Sequence, residues 1–472
     1  DGLLTSAGEL TLTRSPENGF VTGTELGAVT TTETRNSFGE LEHYSAQAGA
    51  TTLYEAEYIR DALGRVTEVT ETIDGVPVVK AFAYSDSGFL KSVTENAVVI
   101  ERYGYDGNGN RMRFEGVTAA DTATASYDDQ DRMLRYADTT YSYTAAGELS
   151  QKESGSDITS YTYDPLGNLV TAVLPSGDRI DYVIDGQGRR VGRKLNGVLE
   201  RQWLYQNGLN LVAELDGAGN LLSRFVYASR GHVPDYMAQG GTAYRLISDH
   251  LGSVRLVVNA STGTIVQRLG YDAWGRVTES SGPNLQPFGF AGGHKDSATL
   301  LLRFGARDYS PTVGRWTAKD PATYAASSIN LYAYIVQDPI NHIDPLGLDH
   351  LGFDGDTLRW FDDNGTVLDR FPARSGGFGL GRLPEGSYLG TNLRSRDRRG
   401  MRCGGSGWSL NLAPQFETDR TLLRIHPDEP PRGTRGCIGV DCGGGAAKRL
   451  HDRLRDYLRR DDGSIKVDVR YR

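Results

Sequence analysis

One cysteine and one histidine carry the clearest chemistry in this chain of 472 residues. His426 ends the apolar run Thr421-Leu422-Leu423-Arg424-Ile425, and eleven residues later Cys437 stands in Thr434-Arg435-Gly436-Cys437-Ile438-Gly439. A thiol with an ordinary pKa of about 8.5 is mostly protonated at neutral pH, and a neighbouring imidazole makes it a nucleophile by taking its proton. Gly436 lets backbone approach a reacting centre closely, and main-chain N–H groups beside Cys437 suit an oxyanion hole. The Pro- and Gly-rich segment between the two residues can fold back, so their spacing sets no limit on contact. On residue types alone, a His and a Cys also fit a purely structural role.

Two further cysteines, Cys403 and Cys442, lie in the same region. They either pair as a disulfide in an oxidising compartment or remain buried thiols. Cys437 and Cys442 with His426 also suggest zinc, but Cys403 in a Gly-rich loop is a poor fourth ligand, so no metal and no cofactor is expected.

The elements that must position these groups are short strands. Thr357–Phe361, Thr366–Phe371 and Thr421–His426 have strand character, separated by turns at Asp363-Asn364-Gly365, Ser375-Gly376-Gly377 and Leu383-Pro384-Glu385-Gly386. One helix is expected at Ala446–Arg460, where Leu450, Leu454, Tyr457 and Leu458 share a face. Lys448, Arg449, Arg453, Arg455, Arg459 and Arg460 make its other face basic and solvated.

Upstream, the chain changes character. The last 124 residues hold 22 Lys and Arg against 18 Asp and Glu, net +4, whereas the first 348 hold 29 against 42, net −13. Of 25 tyrosines, 22 precede residue 349, and all three cysteines follow it. Two different molecules have been joined. A tail of net +4 with only His350, His426 and His451, and without a carboxylate-rich metal motif, disfavours a nuclease, so no nucleic-acid partner is expected. No run of about 18 apolar residues exists, so neither a membrane helix nor stable insertion is expected. The chain opens in mid-pattern at Asp1 without Met and reads as a fragment, so the lack of a signal peptide says nothing about export.

The first part is a repeat array. Tyr, three residues and Gly recur at Tyr84–Gly88, Tyr105–Gly109, Tyr143–Gly147, Tyr163–Gly167 and Tyr271–Gly275, with Asp131 in the Gly place after Tyr127. Each unit reads as an aromatic strand end, a turn in which Gly supplies positive φ, and a second short strand. Such a hairpin cannot bury its apolar face alone and must stack on its neighbours.

This pattern resembles the YD repeats of bacterial Rhs proteins and of Tc toxin C components. Phe290-Ala291-Gly292-Gly293, Arg307-Asp308-Tyr309, Gly314-Arg315-Trp316, Asp320-Pro321 and the closing Asp344-Pro345-Leu346-Gly347-Leu348 look like the Rhs-associated core. The resemblance implies a mainly β fold in which a hairpin spiral forms a hollow cocoon around a small C-terminal toxin, itself mainly β with one helix. The implied domains are shell 1–289, core 290–348 and toxin 349–472. It also implies an intramolecular aspartyl protease using Asp308 and Asp320 beside Arg307, cutting the Leu348–Asp349 bond. Two carboxylates that share a proton divide the roles of base and acid toward water.

The tail resembles the L,D-transpeptidase (YkuD-like) superfamily, nearest its secreted, Tlde1-like branch. Thr434, Gly436, Cys437 and Ile438 match the Ser/Thr-His-Gly-Cys-Ile/Val signature, and His426 matches its first His; Phe353–Trp360 and Leu383–Tyr388 look like its opening strand and turn. Arg435 stands where many members have a second His, and Pro427 where they have Gly, which leaves His426 as the base. The resemblance implies Cys437 as nucleophile, Thr434 orienting His426, and Arg435 or Arg432 receiving a substrate carboxylate near Gly436. The implied activity is transpeptidase or carboxypeptidase attack on peptidoglycan peptide stems in the periplasm of a target bacterium. An Rhs effector of this kind implies as partners an immunity protein and a secretion-system spike or adaptor, as in type VI secretion. The competing readings are a papain-like protease or deamidase acting on cytosolic proteins, and a scaffold for encapsulation or adhesion with an inert tail.

Overall fold

The computed structural model describes residues 3–118, 121–320 and 330–345, and in the remainder 350–353, 356–361, 367–375, 383, 386–395, 402–403, 406–414, 423–428, 437–442, 445–460 and 464–469. The chain forms two compact units: Asp1–Ala318 with Tyr332–Pro345, and Lys319–Leu331 with Leu346–Arg472.

The repeat turns set the first unit's architecture. At Asp164-Pro165-Leu166-Gly167-Asn168, the Asp164 Oδ1 atom accepts from the Leu166 and Asn168 amides, each at 2.9 Å. Gly167 sits at φ 84°, a conformation that a β-carbon would strain. The same Asp-centred turn recurs at Asp61, Asp106, Asp185, Asp216 and Asp272. In the turn after Tyr127, Asp131 takes the Gly place at φ 60°, and its side chain accepts from Asn108 and Asn110 of the preceding turn.

Just before the turn, the ladder slips by a residue beside Tyr84, Tyr105, Tyr127, Tyr143, Tyr163, Tyr205 and Tyr271. Such bulges bend a strand and sharpen its twist. The tyrosine then reaches back one repeat: the hydroxyls of Tyr84, Tyr105, Tyr127, Tyr205 and Tyr227 donate to the carbonyls of Val66, Leu90, Arg111, Arg190 and Leu211. Among the described residues, 27 strands join into one sheet, every pairing in it antiparallel. The ribbon curls back on itself, for Glu71 pairs with Arg255 at 2.8 Å and Asp74 with Arg268. This is a β-spiral, as expected.

Residues 290–318 and 332–345 do not stand apart from the spiral. Phe290, Phe304, Tyr309, Trp316 and Tyr334 share one core with Leu256 and Trp274, and the Tyr309 hydroxyl donates to the Trp274 carbonyl at 2.8 Å.

The second unit is a mixed sheet that closes on itself. Its order among the described residues is Gly386–Ser395, Ser464–Val469, His350–Phe353, Thr357–Phe361, Val367–Ser375, Ile438–Asp441, Arg424–Asp428, Ser406–Pro414 and Arg402–Cys403, and Ser406–Pro414 also pairs with Gly386–Ser395. Helix Ala446–Arg460 buries Ala446, Ala447, Leu450 and Leu454 against Phe371, Ile438 and Val440. The side chains of Tyr457, Leu458, Arg459 and Arg460 lie outside the described residues. A strand, Ser464–Val469, follows the helix; its Ile465, Val467 and Val469 are buried, and it runs parallel to His350–Phe353.

Candidate active site

Two parallel strands of the second unit bring the histidine and cysteine segments together. Arg424–Asp428 pairs with Ile438–Asp441 so that Ile425 lies beside Ile438 and His426 beside Gly439. Side chains alternate across a sheet with period two. Ile425, Ile438 and Val440 fill the core under the helix, which leaves His426 and Gly439 on the opposite face. Cys437 directly precedes Ile438, at a bend, two positions from Gly439 along the chain, so its backbone lies about 7–8 Å from that of His426.

The histidine is prepared for one task. It is 4% exposed, and its Nδ1 lies 2.7 Å from the carbonyl oxygen of Pro427. A carbonyl can only accept, so Nδ1 carries the proton and Nε2 presents a lone pair. Burial pushes the imidazole pKa below its usual value, partly opposed by the Pro427 carbonyl and by Asp428, so the neutral base is the form present at neutral pH. Cys437 is a buried thiol outside any disulfide. Cys442 is disulfide-bonded, and the sequence has one other cysteine, Cys403, whose side chain lies outside the described residues. Thr434, Arg435, Gly436 and Arg432 also lie outside them.

Two polar groups on this face were not picked out from sequence. Asp428, 2% exposed, follows His426 by two residues, and Arg374 places Nε 3.5 Å from its carboxylate. Arg374 pairs across the sheet with Gly439, so Arg374, Gly439 and His426 form one row over three strands. Its signal in the sequence is slight: one Arg among many, 52 residues before His426.

In the first unit, Asp308 is clamped between two guanidinium groups. Arg190 Nη2 donates to Oδ1 at 2.9 Å and Arg303 Nη1 to Oδ2 at 3.0 Å, all three residues being buried. Arg307 lies 4.1 Å over the Trp316 ring and pairs with Asp344 at 3.3 Å, so it grips the first residue of the Asp-Pro-Leu-Gly-Leu border. Asp320 belongs to the second unit, is 8% exposed, and its amide donates to the Leu331 carbonyl at 2.9 Å. Leu348 and Asp349 lie outside the described residues. No helix among the described residues is long and apolar enough to cross a membrane.

Known proteins resemble the first unit. Human Teneurin-4 is 27% identical over 329 residues, covering 66% of this chain and 12% of that protein. Teneurin-3 of Danio rerio is 30% identical over 60% of the chain and 11% of its own length. The tRNA3(Ser)-specific nuclease WapA of Bacillus spizizenii is 28% identical over 55% and 11%. The chain thus spans about an eighth or less of these relatives' length. Among solved structures, the crystal structure of TcdB2-TccC3-Cdc42 superposes with a TM-score of 0.51 at 18% identity, over 72% of this chain and 19% of that one, a likeness of fold. The Teneurin YD-shell profile matches residues 1–340, well over half of the sequence, and the chain belongs to the Teneurin YD-shell family.

Proposed function

We propose that this chain is a secreted antibacterial effector of the Rhs type, in which a YD-shell carries and releases a cysteine-dependent enzyme acting on peptidoglycan peptide stems. The observation that carries the reading is the parallel register of Arg424–Asp428 with Ile438–Asp441, with His426 Nδ1 tied to the Pro427 carbonyl. In the reaction, Nε2 of His426 takes the Cys437 proton, and the thiolate adds to a stem peptide carbonyl. His426 then protonates the departing amine, leaving a thioester on Cys437. Water resolves it to a carboxylic acid; an amino acid's amine resolves it to a new peptide bond.

Release would follow the aspartate chemistry of the core, with Asp308 and Asp320 acting on the Leu348–Asp349 bond and Arg307 holding the border through Asp344. The partners of this reading are the wall peptides, an immunity protein and a delivery spike or adaptor, and its place of action is the target periplasm.

The test is the pH profile of Cys437 alkylation by iodoacetamide in the full chain, read by peptide mass spectrometry. Wild type should react well below pH 8.5, and His426→Gln should move the profile back toward about 8.5, the ordinary thiol value. Identical profiles for the two proteins would remove the base from the reading.

A further inference from the structure

The disulfide of the second unit lies at the end of the strand that carries His426. The sequence has three cysteines; Cys437 is outside any disulfide and Cys442 is bonded, which leaves Cys403 as the partner of Cys442. In the strand Arg402–Cys403, Cys403 pairs with Ser406. From there Ser406–Pro414 runs antiparallel to Arg424–Asp428 with Leu410 opposite Ile425, so its Ser406 end lies alongside the Asp428 end. On the other side Asp441 pairs with Asp428, and Cys442 follows with its Sγ 3.6 Å from the Asp428 carbonyl oxygen. The bond thus joins the two neighbours of strand Arg424–Asp428 across its last residue. That end is remote from Cys437, so any effect on the thiol passes through the histidine. Pro427, between His426 and Asp428, supplies the carbonyl that fixes the His426 tautomer. Pairing at a strand end opens readily, and a crosslink over it restrains that opening. With the clasp open, Nδ1 loses its fixed acceptor and Nε2 presents a lone pair less often. Cys442 is half-buried, so small thiols and disulfides reach it.

We propose that the Cys403–Cys442 disulfide is a redox switch for the Cys437 nucleophile, acting through the Pro427 carbonyl and His426. This rests on the Cys437–His426 reading. In a reducing, thiol-rich compartment the pair is a dithiol and the enzyme idles; in an oxidising compartment the bond forms and arms it. Arming is a thiol–disulfide exchange. The Cys403 and Cys442 thiols give up two protons and two electrons as their sulfur–sulfur bond forms, and a disulfide oxidant is cleaved to two thiols.

Alkylation of Cys437 by iodoacetamide at pH 7 tests it in the full chain, read by peptide mass spectrometry so that Cys437 is followed separately from Cys403 and Cys442. Wild type is measured before and after reduction by a phosphine that is then removed, beside Cys403→Ser. Reduction should slow Cys437 about tenfold, and Cys403→Ser should react at the reduced rate with or without phosphine. In His426→Gln, where the base is already gone, reduction should change the rate about twofold at most. Hydrogen exchange at the amides of helix Ala446–Arg460 should stay the same throughout, which reports an intact fold. Equal rates in oxidised and reduced wild type would overturn the proposal, as would a full tenfold fall in His426→Gln. Helix amides that lose protection on reduction would also overturn it, because the bond would then be a staple of the fold. A wild-type Cys437 inert in both states would instead fail the underlying nucleophile assignment.

Discussion

Asp308 and His426 are both almost fully buried, and each is held by contacts that sequence spacing does not reveal. The two arginines on Asp308 come from 118 residues away and from five. Substituting Asp308→Asn removes the negative charge between two buried guanidinium groups and should cost the shell about 3 kcal/mol in denaturant unfolding. That cost confounds any reading of Asp308 variants as purely catalytic. Asp320→Asn is therefore the cleaner test of self-cleavage: wild type should run as two fragments on a denaturing gel and Asp320→Asn as one. Two fragments from Asp320→Asn would exclude Asp320 from the chemistry. His426 was legible as a candidate because an apolar strand preceded it. Its tautomer was not, because that depends on the backbone oxygen of Pro427.

At the scale of the element, the repeat turn was the most legible feature, since Asp, Gly and Tyr each have a separate job there. Gly167 lies at φ 84° with open space around it, so Gly167→Ala should cost only the strain of that backbone, about 1–2 kcal/mol. Gly275 has a similar φ, but an added β-carbon would lie 2.4 Å from the Phe290 ring, so Gly275→Ala should cost distinctly more. Thermal or denaturant unfolding of the two variants side by side checks the order. The tyrosine hydroxyls belong to the same logic: Tyr105→Phe keeps the ring and loses the bond to Leu90, an expected loss of about 1 kcal/mol. In the second unit, helix Ala446–Arg460 followed from its apolar spacing. The strand Ser464–Val469 could have been read from the alternation of Ile465, Val467 and Val469, but so short a run between charged residues is ambiguous. The parallel pairing of the His426 and Cys437 strands was beyond reach, because register between distant segments is set by packing, here Ile425, Ile438 and Val440 under the helix.

For the whole molecule, the division into an acidic, tyrosine-rich array and a basic, cysteine-bearing tail was plain in composition, whereas the assignment of 319–331 to the second unit was not. The shell also contains a source of acid sensitivity. Burial, reinforced by Arg230 and Arg190 respectively, pushes His232 down to about 4 and His294 to about 3. Both lie below the unfolded value of about 6.5, so the unfolded chain takes up protons first. Stability from these groups is complete above about pH 6.5 and falls as pH drops toward 4. Glu101, pushed up to about 7 by burial, acts in the opposite sense over roughly the same range, since the folded state protonates first. With two histidines against one carboxyl, these three groups together should make the shell less stable at pH 5 than at pH 7, and His294→Gln should flatten that decline in urea unfolding at the two pH values.

The claim that joins the two units is that the shell carries a wall-attacking cysteine enzyme. Purified peptidoglycan incubated with the full chain, then digested and analysed by mass spectrometry, tests it most directly. Wild type should trim or exchange the terminal residue of the peptide stems, and Cys437→Ala should leave them as in untreated wall. Stem peptides that are identical after treatment with wild type, with Cys437→Ala and with buffer would contradict it.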